Sequence, residues 1–164
     1  MPADAAAHEA VIDRLYAALG AGDGDAMAAC YTDDATFEDP AFGRLEDGRG
    51  QAMWRMLTAR GGEIAITLVD RKATAGGQAT AHWLADYTFT DTGRKVHNDV
   101  QASFVFRDGL IAAHRDRFDL RVWGAQALGT VPGLLGYTPL LGLIVRRRTS
   151  GTLAAFMAGE QGPA

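Results

Sequence analysis

The stretch Thr32-Asp33-Asp34-Ala35-Thr36-Phe37-Glu38-Asp39-Pro40 sets four carboxylates around strand-favouring residues and ends at a proline, which drives the residue before it into extended backbone. In strand alternation Asp39 points to the side of Phe37, toward apolar surroundings, whereas Asp33 and Asp34 face water. Burial penalises a charged carboxylate and moves its pKa toward the range useful for proton transfer. Asp39 therefore has two roles open to it: a buried general base, or a cap that accepts backbone amides of the loop after Pro40. Asp116 is the second carboxylate of interest, either a catalytic acid or one half of a structural salt bridge with an arginine such as Arg121. His114 stands two residues before it on the same strand face. His114 and His82 read first as polar wall residues, and no third ligand is spaced to complete a zinc site with them, so no metal is expected.

Helices and strands must carry these residues to one place. Residues 4 to 19 repeat apolar side chains at helical spacing through Ala7, Val11, Leu15, Ala18 and Leu19, and Gly20 and Gly22 stop the pattern. Asp23 or Asp25 can cap a short second helix through Cys30, and Ala52, Met53, Met56 and Leu57 mark a third that Gly61-Gly62 ends. From Glu63 the period becomes two, giving strands over 63–75, 79–90, 94–106 and 110–120. Asp91-Thr92-Gly93 and Arg107-Asp108-Gly109 read as three-residue hairpin loops. That choice of loop pairs Asp86 with Asn98, Leu84 with Val100, His82 with Ala102, Val100 with Asp116 and Asn98 with Phe118, all on one face beneath the helices. Asp86 and Asn98 are then placed to bond each other. The same register turns Trp83, Tyr87 and Phe89 outward, and from them follows the expectation of a homodimer through the outer sheet face. Helical fragments at 121–128, 134–148 and 152–157 complete the chain.

Composition excludes several classes of function. A chain of 164 residues, 48% of them hydrophobic, suits one domain, since this length buries about two-thirds of its unfolded surface. A formal charge of -4 and the lack of a basic stripe interleaved with aromatics argue against nucleic acid as a partner. Cys30 is the only cysteine, so no internal disulfide forms, and the N-terminus lacks a signal-peptide layout; a cytoplasmic protein is expected. The apolar run 131–145 is broken by Pro132 and Pro139 and is too short to span a bilayer, so no stable membrane insertion is expected. Arg146-Arg147-Arg148 reads as a solvated helix end.

The order of elements, with Arg14-Leu15-Tyr16-Ala17-Ala18-Leu19-Gly20-Ala21-Gly22-Asp23 and Asp33 to Pro40, resembles the ketosteroid isomerase branch of the NTF2-like superfamily. Gly109-Leu110-Ile111 through Arg115-Asp116-Arg117-Phe118-Asp119-Leu120 is more similar to limonene-epoxide hydrolases and SnoaL-like polyketide cyclases. The resemblance covers about residues 8 to 120 and implies an α+β cone, three N-terminal helices on a curved, mainly antiparallel sheet, with a pocket between them. Residues 1–120 form that domain, and 121–164 form a helical extension covering it or its partner.

Residue by residue, the resemblance places the isomerase general base on Asp39. In ketosteroid isomerases a tyrosine and a protonated aspartic acid donate to the developing oxyanion; their positions fall on Leu15 and Ala102, so both donors are lost. Tyr16 adjoins Leu15 but points about 100° away around the helix. The epoxide-hydrolase aspartates fall on Asp86 and Asp116, but the arginine between them becomes Leu84, and the tyrosine and asparagine that hold the water become Phe37 and Asp39. Two close carboxylates without that arginine share a proton, which raises one pKa. The polyketide cyclases contribute the acid and base at Asp116, beside His114. The expectation is a cofactor-free acid–base enzyme of isomerase, cyclase or dehydratase type acting on a small hydrophobic carbonyl or polycyclic compound. Asp39, Asp116 and His114 would be catalytic, and Tyr16, Phe37, Trp54, His82, Leu84, Asp86, Asn98, Val100 and Phe118 would line the pocket. An altered epoxide hydrolase and a non-catalytic binding or assembly protein are the alternatives.

Overall fold

In the computed structural model, which describes residues 3–129 and 139–160, the alanine-rich start of the chain forms α1 (Ala3–Ala21), with Asp4 in the first turn complementing the helix dipole. Its buried stripe, Ala5, His8, Ile12, Leu15, Tyr16 and Leu19, has the three-and-four spacing of one helix face. Ala7, expected on that face, is exposed. The Asp23 carboxylate accepts from Ala26 N at 2.9 Å and caps the short α2 (Gly24–Ala28). α3 (Arg49–Ala59) buries Ala52, Met53, Trp54 and Met56 and packs tightly on α2: a Cβ at Gly24 would lie 2.7 Å from Arg55 Cα.

Six strands make one sheet in the order β2-β1-β6-β5-β4-β3. They are β1 (Tyr31–Asp39), β2 (Gly43–Leu45), β3 (Ile64–Ala73), β4 (Gln78–Phe89), β5 (Arg94–Arg107) and β6 (Leu110–Arg117). Among the described residues only the β1–β6 pair is parallel. This is the α+β arrangement expected from the sequence, three N-terminal helices on a mainly antiparallel sheet. The three-residue β2 falls where the sequence reads as loop.

Register is where the structure corrects the sequence reading. The β4–β5 connection has four residues, Thr90 to Gly93, so Phe89 faces Arg94 and Gly93 N donates to Phe89 O at 2.8 Å. One extra loop residue turns β4 over. Ala79, Ala81, Trp83 and Ala85 are buried inward, with Tyr87 and Phe89 on the same side, while His82, Leu84 and Asp86 lie on the other. At the β5–β6 joint the loop is the two residues Asp108 and Gly109, with φ of 52° and 79°, the positive values that a type I′ turn requires. A register shift between Val105 and Phe106 adds a second step, so the parity of β6 is restored. His114 and Asp116 therefore keep their expected face but sit opposite Phe104 and Ala102.

Helices follow the last strand. Asp119 caps α4 (Leu120–Leu128) by accepting from Arg121 N at 2.9 Å and Val122 N at 3.3 Å. α5 (Leu140–Glu160) runs unbroken through Gly151, where the sequence reads as a break; the expected helix start at Leu134 and the Pro132-Gly133 punctuation lie outside the described residues. α5 buries Leu141 and Val145 in a cluster with Ala41, Phe42, Phe118 and Trp123, and puts Leu153 into the main core. Among the described residues no helix is long and apolar enough to cross a membrane.

Candidate active site

Parallel pairing of β1 and β6 sets Phe37 opposite His114, so Asp39 and Asp116, each two residues further along, come side by side on the inner face. His114 and Asp116 are 2% and 4% exposed. His114 Nε2 lies 2.8 Å from Asp116 Oδ1, and its Nδ1 lies 2.8 Å from Tyr31 Oη, which also accepts from Trp54 Nε1 at 2.9 Å. With Nε2 carrying the ring hydrogen, one proton per bond closes the chain. Trp54 N–H donates to Tyr31 O, Tyr31 O–H to Nδ1, and Nε2–H to Asp116. The imidazole is boxed by Phe104 at 4.4 Å and by Phe37 edge-on at 5.1 Å, with Trp54 stacked at 6.2 Å. Both ring nitrogens are occupied and no part of the side chain reaches solvent. His114 thus acts on anything outside this box only through Asp116.

Asp39 takes the capping role that its sequence left open, and it does so from a buried position. Its Oδ1 accepts from Ala41 N at 2.9 Å and Phe42 N at 2.5 Å across Pro40, which fixes the β1–β2 loop. Burial nonetheless pushes its carboxyl up to about 7, and the Asp116 charge adds to the rise, while the two amide bonds pull the other way. Among the described residues no hydrogen bond reaches Oδ2. Asp39 is the more open of the two carboxylates, half-buried where Asp116 is enclosed.

Tyr16 and Trp83 meet on the inner face near Asp116, ring centroids 5.0 Å apart and 3% and 6% exposed. Tyr16 Oη and Trp83 Nε1 are buried and make no hydrogen bond of acceptable geometry among the described residues. Burial raises the Tyr16 hydroxyl well above its ordinary pKa, with the Asp116 charge adding to it. Tyr87, half-buried and likewise raised by burial, feels the Asp39 charge and accepts from Trp123 Nε1 at 2.8 Å. Tyr16, Phe37, Trp54, Asn98, Val100 and Phe118 all lie on the inner side with the carboxylates, as expected. Tyr31, Trp83 and Tyr87 join them unexpectedly. Tyr31 had a signal in the sequence, since it shares odd-numbered strand positions with Ala35, Phe37 and Asp39.

Three expected pocket residues are elsewhere. The shift at the β4–β5 loop puts His82, Leu84 and Asp86 on the outer face, where His82 Nε2 lies 2.9 Å from Asp99 Oδ1 and His97 Nδ1 lies 2.6 Å from Asp86 Oδ1. Asp86 is thereby paired with His97 across the strands, not with Asn98, and stands on the opposite side of the sheet from Asp116. The same shift takes Trp83, Tyr87 and Phe89 off the outer face, removing the aromatics on which the expected dimer surface rested. An open hollow of about 680 Å³ on the sheet is lined by polar groups such as Thr36, Lys72, Thr80 and Ser103 together with residues of β5 and β6 that include Phe104 and His114; Asp39 and Asp116 are not among its lining residues. Among the described residues no group of three or more His, Cys, Asp or Glu is placed to hold a metal ion.

Comparison with known proteins places this arrangement in a family. The model of the SnoaL-like domain matches residues 12–114, well over half of the chain. The chain belongs to the SnoaL-like domain family. The match runs from α1 to His114, so Asp116, α4 and α5 of this SnoaL-like protein lie beyond it. No curated protein matches the chain. Among solved structures it is similar to an LEH-like epoxide hydrolase from M. tuberculosis, with 20% identity, 82% of this chain and 98% of that one covered, and a TM-score of 0.64. It is also similar to a candidate polyketide cyclase from Xanthomonas campestris, at 22% identity, 76% and 98% coverage and a TM-score of 0.64. IdmH, a candidate polyketide cyclase from Streptomyces antibioticus, gives 21% identity, 75% and 99% coverage and a TM-score of 0.61. At these identities the likeness is one of fold, that of the NTF2-like cone.

Proposed function

We propose that this SnoaL-like protein is a cofactor-independent acid–base enzyme, of isomerase, cyclase or dehydratase type, acting on a small hydrophobic carbonyl or polycyclic compound bound inside the cone. The observation that carries this reading is the Asp39 carboxyl, raised to about 7 by burial and by Asp116 beside it. A group poised there exchanges protons at neutral pH in both directions. Asp39 takes a proton from the substrate through Oδ2, because Oδ1 is committed to the Ala41 and Phe42 amides. Asp116 is the second acid or base. His114 is a positioning residue, fixing Asp116 through Nε2 while Tyr31 and Trp54 fix the imidazole.

The surroundings support an apolar substrate bearing an oxygen. Val100, Ala81, Ala85 and Ala102 offer short apolar side chains on the sheet floor. Tyr16 O–H and Trp83 N–H, buried against each other without a well-formed hydrogen bond, are donors suited to a carbonyl oxygen. They stand in for the isomerase donors whose positions are Leu15 and Ala102 in this chain.

The test is proton exchange at the carbon beside a ketone, followed by NMR in deuterated water with a panel of cyclic and polycyclic ketones. Asp39→Asn and Asp116→Asn are each expected to slow exchange about 100-fold or more. Full activity in both variants overturns the mechanism. Diols formed from cyclic epoxides would instead favour the hydrolase alternative, from which Asp86 has been removed by its outward position. An Asp39 carboxyl titrating near its ordinary value would favour a plain binding protein.

A further inference from the structure

α5 reaches the loop that holds Asp39, and its contacts there are polar as well as apolar. Thr149 Oγ1 donates to Ala41 O at 2.9 Å, and Arg146 Nη1 approaches Pro40 O at 3.4 Å. One and two turns earlier, Val145 and Leu141 lie in one apolar cluster with Ala41. The same loop presents the Ala41 and Phe42 amides to Asp39 Oδ1. The peptide groups of residues 40–42 are thus held on both sides, carbonyls by α5 and amides by Asp39. α5 begins beyond residue 114, where the SnoaL-like match ends, so this support comes from a part of the chain outside that match.

We propose that Thr149 is a positioning residue for Asp39: through Ala41 O it sets the loop whose amides orient the carboxylate, leaving Oδ2 to the substrate. The inference rests on Asp39 as the working base for its effect on turnover, but not for its effect on the carboxyl itself. The hydroxyl has one proton to give, and Ala41 O competes for it with Arg146 O at 3.1 Å in the helix's own turn. Replacing Thr149 by valine keeps the shape and removes the donor, which loosens the loop and weakens the amide bonds to Oδ1. Those bonds hold the Asp39 carboxyl down against burial, so its pKa rises further when they weaken. The titratable groups that interact with Asp39 are Asp116 from β6 and Tyr87 from β4, while Arg146 from α5 reaches the neighbouring Pro40 O, and none is altered by this change.

The experiment is NMR titration of the Asp39 carboxyl in the full chain, for the wild type, Thr149→Val, Thr149→Ser and Thr152→Val. Thr152 Oγ1 donates only within α5, to Arg148 O at 3.0 Å, so its variant controls for general loosening of the helix. Thr149→Val is expected to raise the Asp39 midpoint by about half a unit or more and to slow ketone proton exchange about tenfold. Thr149→Ser and Thr152→Val are expected to match the wild type. A midpoint unmoved in Thr149→Val, or moved equally in Thr152→Val, overturns the proposal. If the midpoint moves as expected but no variant or wild type exchanges any ketone proton, the positioning role stands and the enzymatic reading fails.

Discussion

Burying Asp39 carries a cost in stability. Its carboxyl sits at about 7 in the folded protein against about 4 in an unfolded chain, so the folded state holds the extra proton between those values. Stability from this group is fully present below about pH 4 and is lost as pH rises toward 7. Asp39→Asn keeps an oxygen for the Ala41 and Phe42 amides and removes the charge. It is therefore expected to match the wild type near pH 4 and to exceed it by about 1–3 kcal/mol at pH 8, measured by urea unfolding at both values. Tyr16 is a parallel case. Its buried hydroxyl has only the Trp83 side chain against it and no well-formed hydrogen bond, so Tyr16→Phe is expected to melt no lower than the wild type while slowing ketone exchange about tenfold. A lower melting temperature would mean that the hydroxyl has a structural partner.

Whole elements decide which of these residues meet. Gly24 lets α2 close on α3, and a methyl group there would sit 2.7 Å from Arg55 Cα and against Thr58 Oγ1. Side chains give way more easily than a helix backbone, so Gly24→Ala is expected to destabilise by about 1–3 kcal/mol in thermal melts, with α3 and its Trp54 displaced. The limits of sequence reading lie at this level too. Alternation placed Phe37 and Asp39 inward, and the β6 pair His114 and Asp116 kept its face because a shorter turn and a register shift cancelled in parity. β4 had no such compensation. A loop of four residues where three were read moved His82, Leu84 and Asp86 out and brought Trp83, Ala85 and Tyr87 in. Loop length is a property of backbone dihedrals at Thr90 to Gly93, and alternation within a strand does not encode it. The alternation of β4 did hold a clue, since Ala79, Ala81, Trp83 and Ala85 form an apolar set opposite one of His82, Leu84 and Asp86. Tyr31 was missed although its odd position matches Ala35, Phe37 and Asp39, because its partner His114 reaches it from β6, a long-range pairing that alternation within β1 does not encode.

At the scale of the molecule, the site straddles the seam between β1 and β6, the one parallel pairing among the described strands, in which Tyr31 meets Ile111. β3 to β6 can pair through short connections, whereas the seam needs closure of the long stretch between β1 and β6, which makes it the slow contact. Trp54 reports it through Tyr31 and His114. In a chain with Trp83 and Trp123 replaced by phenylalanine, the refolding phase seen by Trp54 fluorescence is expected to lag the far-UV signal of the antiparallel strands; coincident phases would place the seam earlier. During synthesis on the ribosome Asp39 emerges early, yet all of β3 to β6 must be made before Asp116 arrives to stand beside it. Until then the carboxyl is an ordinary solvated acid, and the pairing of Asp39 with Asp116 on which the proposed chemistry depends exists only when nearly the whole sheet has been translated.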